Sequence, residues 1–262
     1  MTFQGAAPSP EHLQGVRYIF TDIDDTLTTA GRLLPQTFQA LWDLHDAGIA
    51  VVPVTGGSAG WCEHIVRAWP VAAAIGESGA FTMTLQNGRV TTEFWEDEAL
   101  QMRRQIEHRR AVEPLLGTFS LAHDQPFRLA DVAIDISGRK SAEIAALARK
   151  ISALGASVAI SSIHINTWIG TYNKRTMSER LLEKLQLSPG DIADSTAFVG
   201  DSRNDAPMFG YFRNAFGVAN VVPVLKDIPV KPRWISERPA GLGFVDIART
   251  VLAAQSEAPR FV

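Results

Sequence analysis

The 262-residue chain has one cysteine, Cys62, no run of about 18 apolar residues, and a net charge of only −3 at neutral pH. Each scarcity excludes something. A lone cysteine forbids an internal disulfide and fits a reducing cytoplasm. Without a long apolar run there is no candidate membrane span. Near-balanced charge gives no general attraction to nucleic acid or anionic lipid. Internal repeats and low-complexity tracts are lacking too. Residues 1–15 hold Pro, Ser and Gly but no basic segment leading into an apolar one, so they read as a flexible tail rather than a signal peptide. Nothing in the sequence speaks to oligomeric state. What is present is 46% hydrophobic and 20% charged, enough for one large or two smaller globular domains.

The most informative stretch is Tyr18-Ile19-Phe20-Thr21-Asp22-Ile23-Asp24-Asp25-Thr26. An apolar run of strand type ends in three carboxylates within four positions. Crowded carboxylates repel unless something positive sits among them, and a hard cation such as Mg²⁺ favours carboxylate and phosphate oxygens. The stretch therefore suits a metal-assisted phosphate site at a strand tip, or an acidic turn in which Asp25-Thr26 caps a helix. Helical spacing follows over residues 35–47, then a buried strand over 49–54 tipped by Thr55-Gly56-Gly57-Ser58. A helix over 61–69 leads to a third strand ending in Gly76-Glu77-Ser78-Gly79. This alternation predicts an α/β fold, a Rossmann-like doubly wound parallel sheet whose ligands bind beyond the carboxyl ends of the strands.

From residue 82 the character changes. Gln86-Asn87-Gly88 signals a hairpin, residues 96–112 read as a charged helix, and residues 131–136 alternate polar and apolar as a half-exposed antiparallel strand does. An amphipathic helix over 140–154 precedes strands over 157–161 and 163–168. Residues 82–169 thus form an inserted α+β cap, and residues 16–81 and 170–262 form the core. The α/β rhythm resumes with a helix from 175, a strand ending in Gly200-Asp201-Ser202-Arg203-Asn204-Asp205, a strand over 214–218, an edge strand near 234–236 and a last helix over 243–254.

Four features now occur in order: Asp-x-Asp-x-Thr at Asp22, Asp24 and Thr26, then Thr55, then Lys174, then Gly-Asp-x-x-Asn-Asp from Gly200 to Asp205. This set resembles the haloacid dehalogenase (HAD) superfamily of phosphotransferases. The insertion resembles its type IIB cap, as in the trehalose-, sucrose- and mannosylglycerate-type sugar-phosphate phosphatases. The resemblance implies that Asp22 is a nucleophile and that Mg²⁺ is held by Asp22, Asp201 and the backbone carbonyl of Asp24, with Asp205 adding to the site directly or through another ligand. Asp24, two residues on from Asp22, shares its direction on an extended backbone and suits a general acid and base. Thr55 and the Gly56 amide are expected to hold a phosphoryl oxygen, Lys174 to offset negative charge, and Asn204 to orient its neighbours or touch phosphate. Arg128 and the alternating His164, Asn166 and Trp168 are candidates for the leaving group, with a half-exposed cap strand as the plain alternative for the latter.

Two positions depart from the resemblance: Gly57 stands where many relatives have Arg, and Ser78 where they often have Asn. Both put leaving-group contacts in doubt. Cys62, with Glu63 and His64, is better read as a buried structural residue than as a metal or thiol site. His45, His108 and His123 lack metal-ligand spacing. The expected function is Mg²⁺-dependent hydrolysis of a small phosphorylated metabolite, a sugar phosphate first among them. A phosphosugar mutase and a non-catalytic binding module are the alternatives.

Overall fold

A computed structural model describes residues 3–256. Its centre is a five-stranded parallel sheet in the order Trp234–Ile235, Asn214–Gly217, Thr196–Gly200, Tyr18–Thr21, Ala50–Pro53. Strand residues alternate between two cores, as the two-residue period of a strand requires. Ile19, Val51, Ala197, Val199 and Phe216 pack on one face with Leu41 and Leu44 of the helix Pro35–Asp46 and with Phe244, Ile247 and Val251 of the helix Ala240–Ser256. Phe20, Val52, Phe198 and Ala215 pack on the other with Met177 and Leu182 of the helix Lys174–Lys184 and with Met208 and Phe209. Burial on both faces explains why these strands read as unbroken apolar runs. The register sets Thr21 beside Val199 and Pro53, so Asp22, Val54-Thr55 and Asp201 leave the same edge of the sheet.

The inserted segment has its own antiparallel sheet, in the order Ser157–Ile160, His164–Trp168, Val132–Asp135, Ser120–Leu121. Ile165, Val132 and Ile134 pack against Val112 of the helix Glu98–Val112 and against Leu147 and Ile151 of the helix Ser141–Ser152, forming a separate small core.

Two expectations require correction. The hairpin Phe81–Gln86 and Arg89–Phe94 does not belong to the cap sheet. It pairs antiparallel with the core strand Ala74–Gly76, and Val54 bridges to Ile75. Phe81 and Met83 are buried in the core cluster, so edge pairing plus apolar burial outweigh the hairpin's place in the sequence. Nor are residues 3–15 loose. Phe3 forms a bridge with Ser236, its ring lies 6.0 Å from that of Phe216, and Leu13 of the short helix Pro10–Leu13 is buried. Met1 and Thr2 lie outside the described residues. The Gln4 amide also donates to the Ile235 carbonyl at 2.8 Å, so the start of the segment covers the outer strand of the sheet, while the helix that carries Leu13 packs against the helix Ala240–Ser256.

Among the described residues, no helix is long and apolar enough to cross a membrane. Buried Cys62 has its thiol pushed up by burial, while Glu63 pairs with Arg67 and His64 stacks on Trp61, so the three neighbours form no common site.

Candidate active site

Asp22 follows directly on the first core strand, and its backbone amide donates to the Val199 carbonyl at 2.9 Å, which extends the parallel ladder by one residue. Its carboxylate Oδ1 accepts from the Lys174 ammonium, which also donates to Asp205 Oδ1 at 2.9 Å. Lys174 opens its helix, where the Asn173 side chain accepts from the Thr176 amide at 3.1 Å as an N-cap. That helix start presses so closely on the core that Gly79, at φ +110°, would place a Cβ 2.2 Å from the Asn173 carbonyl. Only glycine fits, and the close approach is what lets a lysine from the far half of the chain reach the first strand.

Asp205 accepts from the backbone amides of Asp201 and Ser202 at 3.1 and 3.2 Å, which locks the loop after the Thr196–Gly200 strand. Asp201 accepts from Thr26 Oγ1 at 3.3 Å and from Asn220 Nδ2 at 2.8 Å. Thr26, the last residue of the first motif, thus ties the two acidic loops together. Asp25 caps no helix. It takes φ +56°, and its amide donates to Thr28 Oγ1 at 3.3 Å within a tight turn, the next helix beginning only at Pro35.

Carboxylate oxygens of Asp22, Asp201 and Asp205 all lie within 4.8 Å of one another. Burial, opposed by Lys174 and reinforced by neighbouring acids, holds the Asp22 carboxyl well above the usual range. Burial and then Asp205 push Asp201 up to about 7. Burial would weaken the Lys174 ammonium, but Asp205 and Asp22 outweigh it and keep the charge in place. Several hard oxygens converging under mutual repulsion, with one lysine to offset them, form a donor set that suits Mg²⁺. The Asp24 side chain stands apart from this trio and lines the adjoining cavity, where burial raises its carboxyl against the pull of Lys174.

The same cavity is lined from the cap by His164, Asn166 and Trp168, alternate residues of one strand, and by Ser161 and Ser162. The intervening Ile165 and Thr167 turn into the cap, Thr167 Oγ1 meeting His108 Nε2 at 2.9 Å. Gly56, Gly57, Ser78 and Asn204 line it from the core, as does Arg175, the sequence neighbour and only competitor of Lys174 for its role. Asn204 Oδ1 accepts from Ser202 Oγ at 2.8 Å. Thr55 is buried, and its Oγ1 accepts from the Gly57 amide at 2.9 Å. At Gly57 a Cβ would lie 2.9 Å from the Trp61 ring and 3.2 Å from Thr55 Oγ1, so the position has no room for a side chain as the loop stands.

Arg128 does not line the cavity. Its side chain is wholly buried, with Nη1 on Asp131 and on the Gly56 carbonyl, each at 2.9 Å, and with Nε and Nη2 on Asp124 at 3.1 and 2.9 Å. Two carboxylates within three and four residues capture the guanidinium before it can face solvent. Asn166 does line the cavity, yet its Nδ2 donates to Asp131 Oδ2 at 2.8 Å and to the Gly56 carbonyl at 3.0 Å. Glu77 was missed altogether. Fully buried, it accepts from the amides of Ala59, Leu129, Ala130 and Asp131, so one core carboxylate fastens the start of a cap strand. Glu77 and Ser78 both take left-handed φ, +44° and +61°, a strained pair at the strand tip that turns the Glu77 side chain inward.

No protein-family model matches the chain, and no curated protein matches it in sequence. Solved structures do match in fold. Protein 0175 of Thermoplasma acidophilum superposes with a TM-score of 0.72 at 15% identity, covering 90% of this chain and 98% of that one. The sucrose-phosphatase of Synechocystis, solved with sucrose and phosphate, gives 0.64 at 14% identity over 89% and 97%. The HAD subclass IIB sugar phosphatase BT4131 gives 0.64 at 12% identity over 91% and 98%. The chain shares the fold of these structures, the HAD subclass IIB sugar phosphatase among them: a Rossmann-like core with an inserted cap.

Proposed function

We propose that the protein is a phosphatase that hydrolyses a small phosphate monoester, a sugar phosphate by preference, through an aspartyl-phosphate intermediate. The observation that carries this reading is the Asp22–Lys174–Asp205 chain beside Asp201, at a parallel strand tip, inside a cavity that the cap sheet covers. Asp22 attacks phosphorus, and splitting the reaction through a covalent acyl phosphate avoids direct attack of water on an anionic ester. Lys174 holds the attacking carboxylate and offsets charge that builds on the phosphoryl oxygens. Asp24 protonates the leaving oxygen and then takes a proton from the water that opens the acyl phosphate. Burial raises its carboxyl, the direction a general acid needs. Asp22, Asp201 and Asp205 would hold Mg²⁺, with the Asp24 carbonyl as a further ligand, and the cation would neutralise nucleophile and phosphoryl group together. Thr55 and the Gly56 amide grip the phosphoryl group, and Asn204 orients the loop beside it.

The leaving-group side supports a polyhydroxylated substrate. Hydroxyls of Ser161 and Ser162 and the His164 ring offer hydrogen bonds, and the Trp168 indole, whose N–H donates to the Tyr172 carbonyl at 3.1 Å, offers an apolar face. Burial, with Arg128 adding to it, lowers His164, so the ring is neutral at physiological pH. The test is release of free phosphate from p-nitrophenyl phosphate and a sugar-phosphate panel with Mg²⁺. Asp22→Asn lowers turnover by more than roughly a thousandfold without unfolding the chain. Undiminished turnover in that variant rules the mechanism out. Conversion of a hexose 1-phosphate to the 6-phosphate, with no free phosphate, would identify a mutase instead.

A further inference from the structure

We infer that Arg128 and Asn166, two cap residues, are positioning residues for phosphate rather than contacts for the leaving group. They act on the phosphate loop through the Gly56–Gly57 peptide. The inference rests on the proposed phosphate site.

The loop Thr55-Gly56-Gly57 is fixed at each carbonyl. Thr55 O accepts from the Ser78 amide and Gly57 O from the Glu77 amide, both at 3.0 Å, so two of the three are held by the core's own strand tip. The third, Gly56 O, is held only by side chains from the cap in the contacts described: Arg128 Nη1 at 2.9 Å and Asn166 Nδ2 at 3.0 Å. Asp131 aligns both donors from behind, accepting from Arg128 at 2.9 Å and from Asn166 at 2.8 Å, and its own amide is held by Glu77 at 2.9 Å. Arg128 and Asp131 are buried side chains, so this geometry has few alternatives.

A peptide unit is planar, and its carbonyl and amide point in opposite directions. Fixing Gly56 O therefore fixes the Gly57 amide, which donates to Thr55 Oγ1 at 2.9 Å. A hydroxyl has one proton to give and two lone pairs to accept with. With one lone pair engaged by Gly57, Thr55 keeps its proton for an acceptor, and the proposed acceptor is a phosphoryl oxygen. A guanidinium on the carbonyl end polarises the whole run of hydrogen bonds in the same sense. The cap thereby sets the phosphate grip even for a ligand with no leaving group.

The consequence separates two roles that look alike in a simple activity assay. If Arg128 and Asn166 recognised the leaving group, inorganic phosphate would bind their variants as it binds the wild type. In the positioning role, Asn166→Ala weakens inorganic phosphate roughly tenfold, measured by calorimetry on the Mg²⁺-loaded protein. It also raises KM by a similar factor for p-nitrophenyl phosphate and for sugar phosphates alike. Thr55→Val reproduces the loss, and combining it with Asn166→Ala adds little, because both break one relay. Arg128→Lys retains a donor without the fork and falls between wild type and Asn166→Ala. Far-ultraviolet circular dichroism and melting curves establish that each variant is folded, and Asn166→Ala carries the argument should Arg128→Lys unfold. Phosphate affinity equal to wild type in folded Asn166→Ala overturns the inference, as does a KM effect confined to one leaving group. Calorimetry needs no turnover, so a protein that binds phosphate in this pattern but hydrolyses no ester would sink the proposed activity and leave the relay standing.

Discussion

Two buried charged clusters lie within one fold, and they are built on opposite plans. Around Lys174, the carboxylates of Asp22, Asp205 and Asp201 crowd together with a single ammonium among them. Around Arg128, the carboxylates of Asp124, Asp131 and Glu77 also outnumber the one cation, yet backbone amides and the Asn166 amide make up the difference. In the first cluster Asp22 is raised strongly and Asp201 to about 7. The second holds Asp124 below its ordinary value through Arg128, even against burial, although burial raises Glu77 to about 8. A site left short of positive charge is ready for a cation and a phosphoryl group, whereas a saturated one is a joint. The same residue types do either job, and the donor count decides which.

Removing the cation of the first cluster gives the largest effect. Lys174→Met leaves Asp22 and Asp205 facing each other without compensation and lowers turnover by roughly a thousandfold. Its melting temperature should then rise more steeply with added Mg²⁺ than that of the wild type, since the ion relieves a greater repulsion. An unchanged Mg²⁺ dependence would place the cation away from this cluster.

Removing the cation of the second cluster is a matter of stability first. Arg128→Met strands the buried Asp131 and leaves the part-exposed Asp124 without its partner, and costs about 3–5 kcal/mol by denaturant unfolding. A loss under about 1 kcal/mol would mean that water reaches the joint and that it is no latch. Glu77→Gln is milder. The side chain keeps its size but gives up one acceptor oxygen among four amide donors, an effect of about 1–3 kcal/mol. Burial and Asp131 push the Glu77 carboxyl up to about 8, against the Leu129 and Asp131 amides and Arg128, which pull it down.

How far the sequence foretold each cluster follows from the same contrast. The Lys174 cluster was legible because its acids and lysine occur in the order of the HAD motifs; by position alone each acidic stretch read equally well as a capping turn. Asp22, Asp201 and Asp205 were picked out together by that order of motifs. His164, Asn166 and Trp168 were legible as one strand face because the period is two. The Arg128 cluster was not. An arginine three residues before an aspartate has no fixed meaning until the chain turns between them, and Glu77 finds its amides 52 to 54 residues away. For the same reason the hairpin Phe81–Gln86 and Arg89–Phe94 was assigned to the wrong side. Its turn is local, but the strand it pairs with is a question of tertiary burial. Phe3 shows this again at the amino end, where a single ring on a sheet edge turned an expected tail into structure.

The smallest effect sharpens the contrast between core and cap rather than between the clusters. His108 and His164 both belong to the cap, and burial lowers both from the ordinary histidine value near 6.5. Each binds a proton more weakly in the folded chain than in the unfolded one. As the pH falls through about 6.5 the unfolded chain takes up these protons first, so stability is complete above that value and declines below it. His108 is the cleaner probe, because its Nε2 meets Thr167 Oγ1 inside the cap and touches nothing in the proposed active site. His108→Gln keeps a polar partner for Thr167 and removes the titration. Urea unfolding between pH 7.5 and 5.5 should show the wild type losing more stability on acidification than the variant. Identical slopes would place the pH sensitivity outside the cap core. A gentler slope that accompanies early loss of the cap's helical signal, ahead of the core, would instead show the two regions unfolding as separate units despite the Arg128 joint.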